Sequence, residues 1–118
     1  MNVERAPSAV EVVFRDLVPL PSLEGDIRRR ADKLRRWAPD LTSCRVVVEA
    51  QANRHRTGHV YTVKIDVRLP GEEMVAGEHH ASEEIALAVQ GAFDAIGRRL
   101  QDHERRRRGQ VKQHATKP

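Results

Sequence analysis

The chain has 118 residues and a formal net charge of +4, and 39% of its residues are hydrophobic. This length and composition are typical of one globular domain with a modest core, not of a disordered chain. No stretch approaches the about 18 apolar residues of a membrane-spanning helix, and residues 1–8 lack the apolar segment of a signal peptide. The single cysteine, Cys44, excludes a disulfide framework and a cysteine-based zinc site. We therefore expect a cytoplasmic protein.

Charge is distributed unevenly along the chain. Residues 28–36 hold six basic residues and one acidic residue, and residues 98–118 hold eight basic and two acidic residues. These two blocks have net charges of +5 and +6, whereas residues 1–27 and 37–97 have net charges of −3 and −4. Two basic blocks in an otherwise acidic chain favour a polyanionic partner.

The first half of the chain changes from a strand pattern to a helix pattern and back. Apolar residues at every second position over residues 10–15 predict a strand with one buried face. Over residues 21–38 they recur every three or four positions, which predicts an amphipathic helix that Pro39 ends. A second alternating segment predicts a strand at residues 44–51, and the polar residues 51–59 predict a loop.

The second half predicts two more strands and a long helix. The clearest alternation, over residues 61–69, predicts the third strand, and residues 73–78 predict a short fourth strand. Ser82 is a suitable N-cap for a second helix. Good helix-forming residues continue to Gly109, so we expect a helix of about 26 residues whose last two turns extend beyond the sheet.

The predicted element order is β-α-β-β-β-α. A helix between the first two strands implies a right-handed crossover and a parallel pair, and short connections make the other pairs antiparallel. The predicted fold class is α+β, a four-stranded mixed sheet with two helices packed on one face. We expect residues 1–9 to be a flexible N-terminus, residues 10–108 a single domain and residues 109–118 a flexible basic tail.

Four local segments, taken in order, match the pattern of a known family. Residues 28–34 form a basic helix that ends in Lys-Leu and is followed by an aromatic residue, Trp37. Residues 42–49 match the second strand of that family, and residues 77–81 match its His-Ala segment. Residues 92–100, followed by a basic helical end, match its second helix. With this spacing, the chain resembles the ribosome hibernation promoting factors, also called ribosome-associated inhibitors or sigma-54 modulation proteins.

The resemblance implies a protein without catalytic residues or cofactors. It implies that residues 10–108 bind the small ribosomal subunit and its 16S ribosomal RNA, in the channel used by messenger RNA and transfer RNAs. Binding there inhibits translation or stabilises idle ribosomes under stress. It also implies a short form, without the C-terminal domain of longer members, that is monomeric off the ribosome and has no membrane or small-molecule partner. Ala86 and Gln90 stand where the family often has a tyrosine and an aspartate.

The candidate RNA-binding residues are basic and lie on the two predicted helices and on the loop between the second and third strands. They are Arg28, Arg29, Lys33, Arg36, Arg54, Arg56, Arg98, Arg99, Arg105, Arg106, Arg107 and Arg108. A solvated helix face and a frayed tail are the alternative interpretations of the two blocks. The scarcity of acidic residues in both blocks favours phosphate contact. We expect both helices to present arginines along one groove.

Other functions have weaker support in the sequence. A general double-stranded RNA-binding or RNA chaperone module has a similar outline and is the alternative function. His55 and His59 are spaced like metal ligands, but the predicted loop gives them no fixed geometry. The His79-His80 pair does not complete a set of ligands with them, so we expect no metal. Paired carboxylates, a nucleophile elbow and a phosphate loop are absent, so we expect no enzyme. We expect core packing, not chemistry or base stacking, for Cys44, Trp37 and Tyr61.

Overall fold

A computed structural model describes the backbone of residues 9–52 and 59–116 and the side chains of residues 10–51, 60–71 and 81–109. The candidates Arg54 and Arg56 and the possible metal ligand His55 lie outside the described residues, as do the side chains of His59 and of the 79–80 pair. The strands are β1 (Ala9–Arg15), β2 (Ser43–Ala52), β3 (His59–Leu69) and β4 (Glu72–Ser82). The helices are α1 (Pro21–Lys33) and α2 (Ile85–Thr116).

The sheet has the strand order β1-β2-β3-β4. β1 pairs with β2 in parallel, and the β2–β3 and β3–β4 pairs are antiparallel. The register places Val12, Val46 and Ile65 side by side across three strands. The β3–β4 pairing is irregular between Val63 and Ile65. This topology confirms the predicted mixed sheet and its single parallel pair.

The core lies between one sheet face and the two helices. In β3 the buried positions alternate, whereas in β2 the three consecutive residues 46–48 are all buried. Val46, Val48 and Ile65 are completely inaccessible to solvent. The helices supply the other half of the core, which contains Ile27, Ala31, Leu34, Ala88, Val89, Ala92, Phe93, Ile96 and Leu100. Each large aliphatic side chain buried in this way contributes about 1.5–3 kcal/mol. The pattern confirms that both helices cover the same face.

The ends of the helices differ from the sequence-based expectation. α1 stops at Lys33 and continues as a single 3₁₀ turn, Leu34–Arg36, before Pro39. α2 runs through Gly109 to Thr116, because one glycine costs a helix only about 1 kcal/mol and good helix-forming residues flank it. No helix in the described part of the chain is long and apolar enough to cross a membrane.

The strands are longer than their patterns predicted. β2 extends to Ala52 and β3 begins at His59, so each strand includes residues that were predicted to belong to the loop. β4 spans Glu72–Ser82 in place of the predicted residues 73–78, because pairing with β3 supplies order where the apolar alternation is weak. At its end, Ser82 Oγ accepts a hydrogen bond of 3.0 Å from the backbone N–H of Glu84. Because α2 begins at Ile85 and its first backbone bonds run to the Glu84 carbonyl, Ser82 lies two residues before the N-cap position at which it was predicted.

Candidate nucleic-acid interface

A cleft of about 310 Å³ lies between α1 and α2. We call it the interhelix cleft, and it is lined by Asp26, Arg29, Arg30, Lys33, Leu34, Arg36, Trp37, Phe93, Asp94, Gly97 and Gln101. Four cations and two carboxylates give this lining a net charge of +2. Three of the predicted residues, Arg29, Lys33 and Arg36, meet here because residues three and four apart share one side of a helix.

Asp26 organises two arginines of the cleft. Arg30 Nε donates a hydrogen bond of 2.9 Å to Asp26 Oδ2, and Arg29 Nη2 lies 3.9 Å from Asp26 Oδ1. Arg30 was absent from the predicted set because it lies at the border of the apolar stripe of α1. Its carboxylate partner four residues earlier in the helix was the signal that could have placed it at the surface.

Trp37 lines the cleft and also contacts the core. Its indole ring is partly buried and packs against the core, as does the ring of Tyr61, which confirms the predicted packing role of both residues. The Arg36 guanidinium lies 6.0 Å from the centre of the Trp37 ring. This distance is at the outer limit of a cation–π contact, and both side chains line the cleft.

Arg28 points away from the cleft. Its Nη1 donates a hydrogen bond of 2.9 Å to the carbonyl oxygen of Val10 in β1, and its Nη2 lies 3.0 Å from Glu24 Oε2. The guanidinium therefore joins α1 to the sheet. Of the four residues predicted on α1, Arg28 is the one whose described contacts are structural.

The α2 wall of the cleft carries no arginine. It consists of Phe93, Asp94, Gly97 and Gln101, so the expectation of arginines from both helices along one groove is wrong for this stretch. Successive residues turn by about 100° around a helix. With Gly97 facing α1, the next two residues point to the side and away, and both predicted candidates, Arg98 and Arg99, are exposed there.

Residues 101–108 of α2 form a cationic segment that we call the arm. None of its described side chains is fully buried, which confirms that the helix extends beyond the apolar core after Leu100. By helical phase, Arg105 and Arg108 lie on the same side of α2 as the cleft, and Arg106 lies on the opposite side.

The ion pairs of the arm are long. The side chains of Arg105, Arg107 and Arg108 are 73%, 55% and 76% exposed. Their shortest ion pairs, to Asp102, Asp40 and Glu104, measure 3.5, 3.8 and 3.3 Å. Exposed pairs of this kind contribute only about 0–1 kcal/mol, so a polyanion can replace these carboxylates.

Cys44, the single cysteine of the chain, is a buried free thiol. Burial, with a smaller contribution from the Asp66 carboxylate, raises the pKa of the Cys44 thiol from 9.0 to about 12. The thiol is therefore protonated at neutral pH and does not act as a nucleophile. Among the described residues, no group of three or more His, Cys, Asp or Glu side chains could hold a metal ion.

The fold is shared by other solved structures, including the following two. A ribosomal subunit interface protein from Coxiella burnetii superposes with a TM-score of 0.67 at 12% sequence identity, covering 81% of this chain and 97% of that chain. The N-terminal domain of Protein Y from Thermus thermophilus gives a TM-score of 0.65 at 17% identity, covering 79% and 94%. At these identities the similarity establishes the fold alone. No curated protein matches the chain significantly.

The family assignment comes from the sequence itself. The model of one protein family matches residues 10–108, which include all of β1 except Ala9, the whole lining of the cleft and the arm. The match confirms the resemblance found in the basic helix, the second strand and the second helix. The chain belongs to the ribosome-associated family described as Sigma 54 modulation protein / S30EA ribosomal protein.

Proposed function

We propose that this protein binds the small ribosomal subunit through 16S ribosomal RNA and occupies the channel of messenger RNA and transfer RNAs. Bound there, it inhibits translation or stabilises idle ribosomes under stress in the cytoplasm, without catalysing a reaction. Family membership supports the ribosome as partner. The observation that carries the proposal is the continuity of the interhelix cleft, with its four cations, into the arm, where Arg105 and Arg108 lie on the same side.

Phosphate neutralisation explains how this surface binds RNA. Each cation that contacts a phosphate releases condensed counterions, which makes affinity strongly dependent on salt. With about six phosphate contacts, the logarithm of the binding constant falls against the logarithm of salt concentration with a slope of roughly −4 to −5. Contacts of this kind give affinity and orientation without reading base sequence. An RNA surface of fixed shape is therefore the expected partner.

Cosedimentation with purified small subunits in sucrose gradients tests the proposal. At low salt the protein is expected to migrate with the subunits, and an excess of transfer RNA is expected to displace it if both occupy one channel. Failure to cosediment at low salt would overturn the proposal. Cosedimentation that transfer RNA does not affect would place the binding site elsewhere and overturn the channel assignment.

A matched pair of lysine variants tests which surface binds. Lys33→Glu reverses a charge in the cleft, and Lys64→Glu makes the same change on β3. Lys64 is exposed and alternates with the buried residues Val63 and Ile65, so it lies on the face opposite the helices. Lys33→Glu is expected to weaken subunit binding several-fold, whereas Lys64→Glu leaves it within twofold. Equal losses in the two variants would show nonspecific charge attraction.

Binding to bare RNA duplex separates this function from a general double-stranded RNA-binding or RNA chaperone activity. The proposed function predicts a much higher affinity for intact small subunits than for a duplex at the same salt concentration. Equal affinities would favour the general RNA-binding module.

A further inference from the structure

Gly97 has no structural reason to be glycine. It lies in the interior of α2, where glycine is among the poorest helix formers. Its φ is not positive, so the backbone does not need glycine there. A Cβ atom built at this position meets no described atom within 4 Å, so packing within the protein does not need glycine either. Gly97 is itself buried, but it lines the cleft and leaves the space of a Cβ atom open there, so a ligand in the cleft can approach the α2 backbone closely.

Asp94 is the second unexplained residue of the same wall, one helical turn before Gly97. A carboxylate opposes the binding of a polyanion in a cleft of this kind. Asp26 is accounted for, because it holds Arg29 and Arg30. The exposed Asp94 carboxylate makes no hydrogen bond or ion pair with another described residue. Since an ionised carboxylate only accepts hydrogen bonds, Asp94 is free to pair with a donor on a ligand in the cleft.

The sugar–phosphate backbone of RNA offers one such donor, the ribose 2′-hydroxyl, which DNA lacks. The cleft volume of about 310 Å³ is at the lower end of the range for small-ligand sites, roughly 300–1,000 Å³, and suits one nucleotide unit better than a duplex. The α1 wall supplies cations for a phosphate, and the α2 wall supplies an acceptor beside a bare stretch of backbone.

We propose that the interhelix cleft seats one ribonucleotide unit of unpaired RNA and distinguishes it from a deoxyribonucleotide. The phosphate lies on Arg29 and Lys33, and the ribose packs against the backbone of Gly97. The 2′-hydroxyl donates a hydrogen bond to the carboxylate of Asp94. The proposal rests on the proposed function, which makes RNA the ligand, and it deepens that function by assigning the sugar as the feature that the cleft recognises.

Fluorescence anisotropy with two labelled oligonucleotides tests the proposal. Oligouridylate and oligodeoxyuridylate have the same base and differ only in the 2′-hydroxyl. The wild-type protein is expected to bind the ribo-oligonucleotide on the order of tenfold more tightly, the effect of one hydrogen bond to a charged acceptor. Asp94→Ala is expected to bring this ratio close to one. The ratio is informative because the loss of a negative charge raises affinity for both oligonucleotides alike.

Two matched glycine variants separate binding from folding. Gly97→Ala is expected to raise the thermal unfolding midpoint, because alanine favours the helix, and to weaken ribo-oligonucleotide binding at least fivefold. Gly109→Ala makes the same change in the same helix, at an exposed position outside the cleft lining. It is expected to change the midpoint less, because no described side chain near it is fully buried, and to leave binding unchanged. Equal binding by the two variants, or equal wild-type affinity for the two oligonucleotides, would overturn the proposal.

Cosedimentation of the wild-type protein with small subunits keeps the two proposals distinguishable. Subunit binding without a preference for the ribo-oligonucleotide would reject the ribose-reading cleft and leave the proposed function intact. A strong preference for the ribo-oligonucleotide without subunit binding would reject the proposed function and retain the cleft as an RNA site.

Discussion

The cations of α1 and those of the arm are held in different ways. On α1, Arg28 and Arg30 make hydrogen bonds of 2.9 Å within the protein, and buried residues lie directly beneath the helix. In the arm, Arg105 and Arg108 make exposed pairs of 3.5 and 3.3 Å, and the described side chains are not fully buried. This difference shows that the number of basic residues in a segment does not by itself indicate how strongly the segment binds RNA. Part of the positive charge of α1 stabilises the fold, and the charge of the arm is available to a partner.

Reversing the charge of the arm is the strongest test of this contrast. Replacing residues 105–108 with glutamate is expected to weaken binding to small subunits on the order of 100-fold or more at low salt, because phosphate contacts become repulsive. The thermal unfolding midpoint should change little, because no described side chain of the arm is fully buried. Titration of labelled protein with subunits measures the first quantity, and circular dichroism measures the second. Unchanged affinity would remove the arm from the interface.

Substitutions of two neighbouring arginines of α1 test whether one arginine stabilises the fold while the other binds RNA. Arg28→Ala is expected to lower the free energy of unfolding by about 1–2 kcal/mol, because it removes the hydrogen bond to the Val10 carbonyl. Arg29→Ala removes a side chain that is 70% exposed and is expected to cost little stability but to weaken RNA binding. Urea denaturation and subunit titration of both variants provide the comparison. The contrast fails if Arg28→Ala reduces binding more than Arg29→Ala while leaving stability unchanged.

Cys44 lies in the core beneath α1, a core that does not extend to the arm. The pH dependence of protein stability therefore tests how well this core excludes solvent. The pKa of Cys44 is raised from 9.0 to about 12, so the folded state retains a proton that the unfolded state releases above pH 9. Its contribution to stability is therefore complete below pH 9 and falls as the pH rises from 9 to 12. At pH 10 the wild-type protein is expected to lose about 1 kcal/mol more than Cys44→Ala, relative to pH 7. Parallel urea-denaturation profiles for the two proteins would contradict this.

The smallest expected effect is a difference in subunit binding between substitutions on the two sides of the arm. Arg108 lies on the cleft side of α2 and Arg106 on the opposite side. Arg108→Ala is expected to weaken subunit binding two- to threefold and to reduce the salt slope by about 0.7–0.9, whereas Arg106→Ala has a smaller effect on both. Titrations at several salt concentrations measure these quantities. Equal effects would mean that RNA surrounds the arm.

The order of the elements was predictable because each strand buries one face and each helix one stripe. The end of α2 was not predictable. The sequence identifies Gly109 as a helix breaker, but it does not show that the helix propensity of the flanking residues exceeds the cost of this glycine. β4 was underestimated because its pairing with β3, not its own pattern, defines its length.

The α1 wall of the cleft could be predicted from the sequence, whereas the α2 wall could not. Helical phase alone places Arg29, Lys33 and Arg36 on one side of α1. The sequence could not show that Arg28 contacts β1, because that contact joins positions 18 residues apart. Nor could it show which face of α2 opposes α1, which is why Asp94 and Gly97 emerged only from the structure.

The contact between Arg28 and Val10 also bears on self-association. β1 is an edge strand, and the free backbone groups of an edge can pair with a strand of another molecule. The Arg28 guanidinium occupies an acceptor of this strand and places a positive charge beside it. Charged side chains at an edge are one means by which proteins prevent strand addition and aggregation. Substitutions at position 28 therefore affect the solubility of the protein, in addition to the stability of its fold.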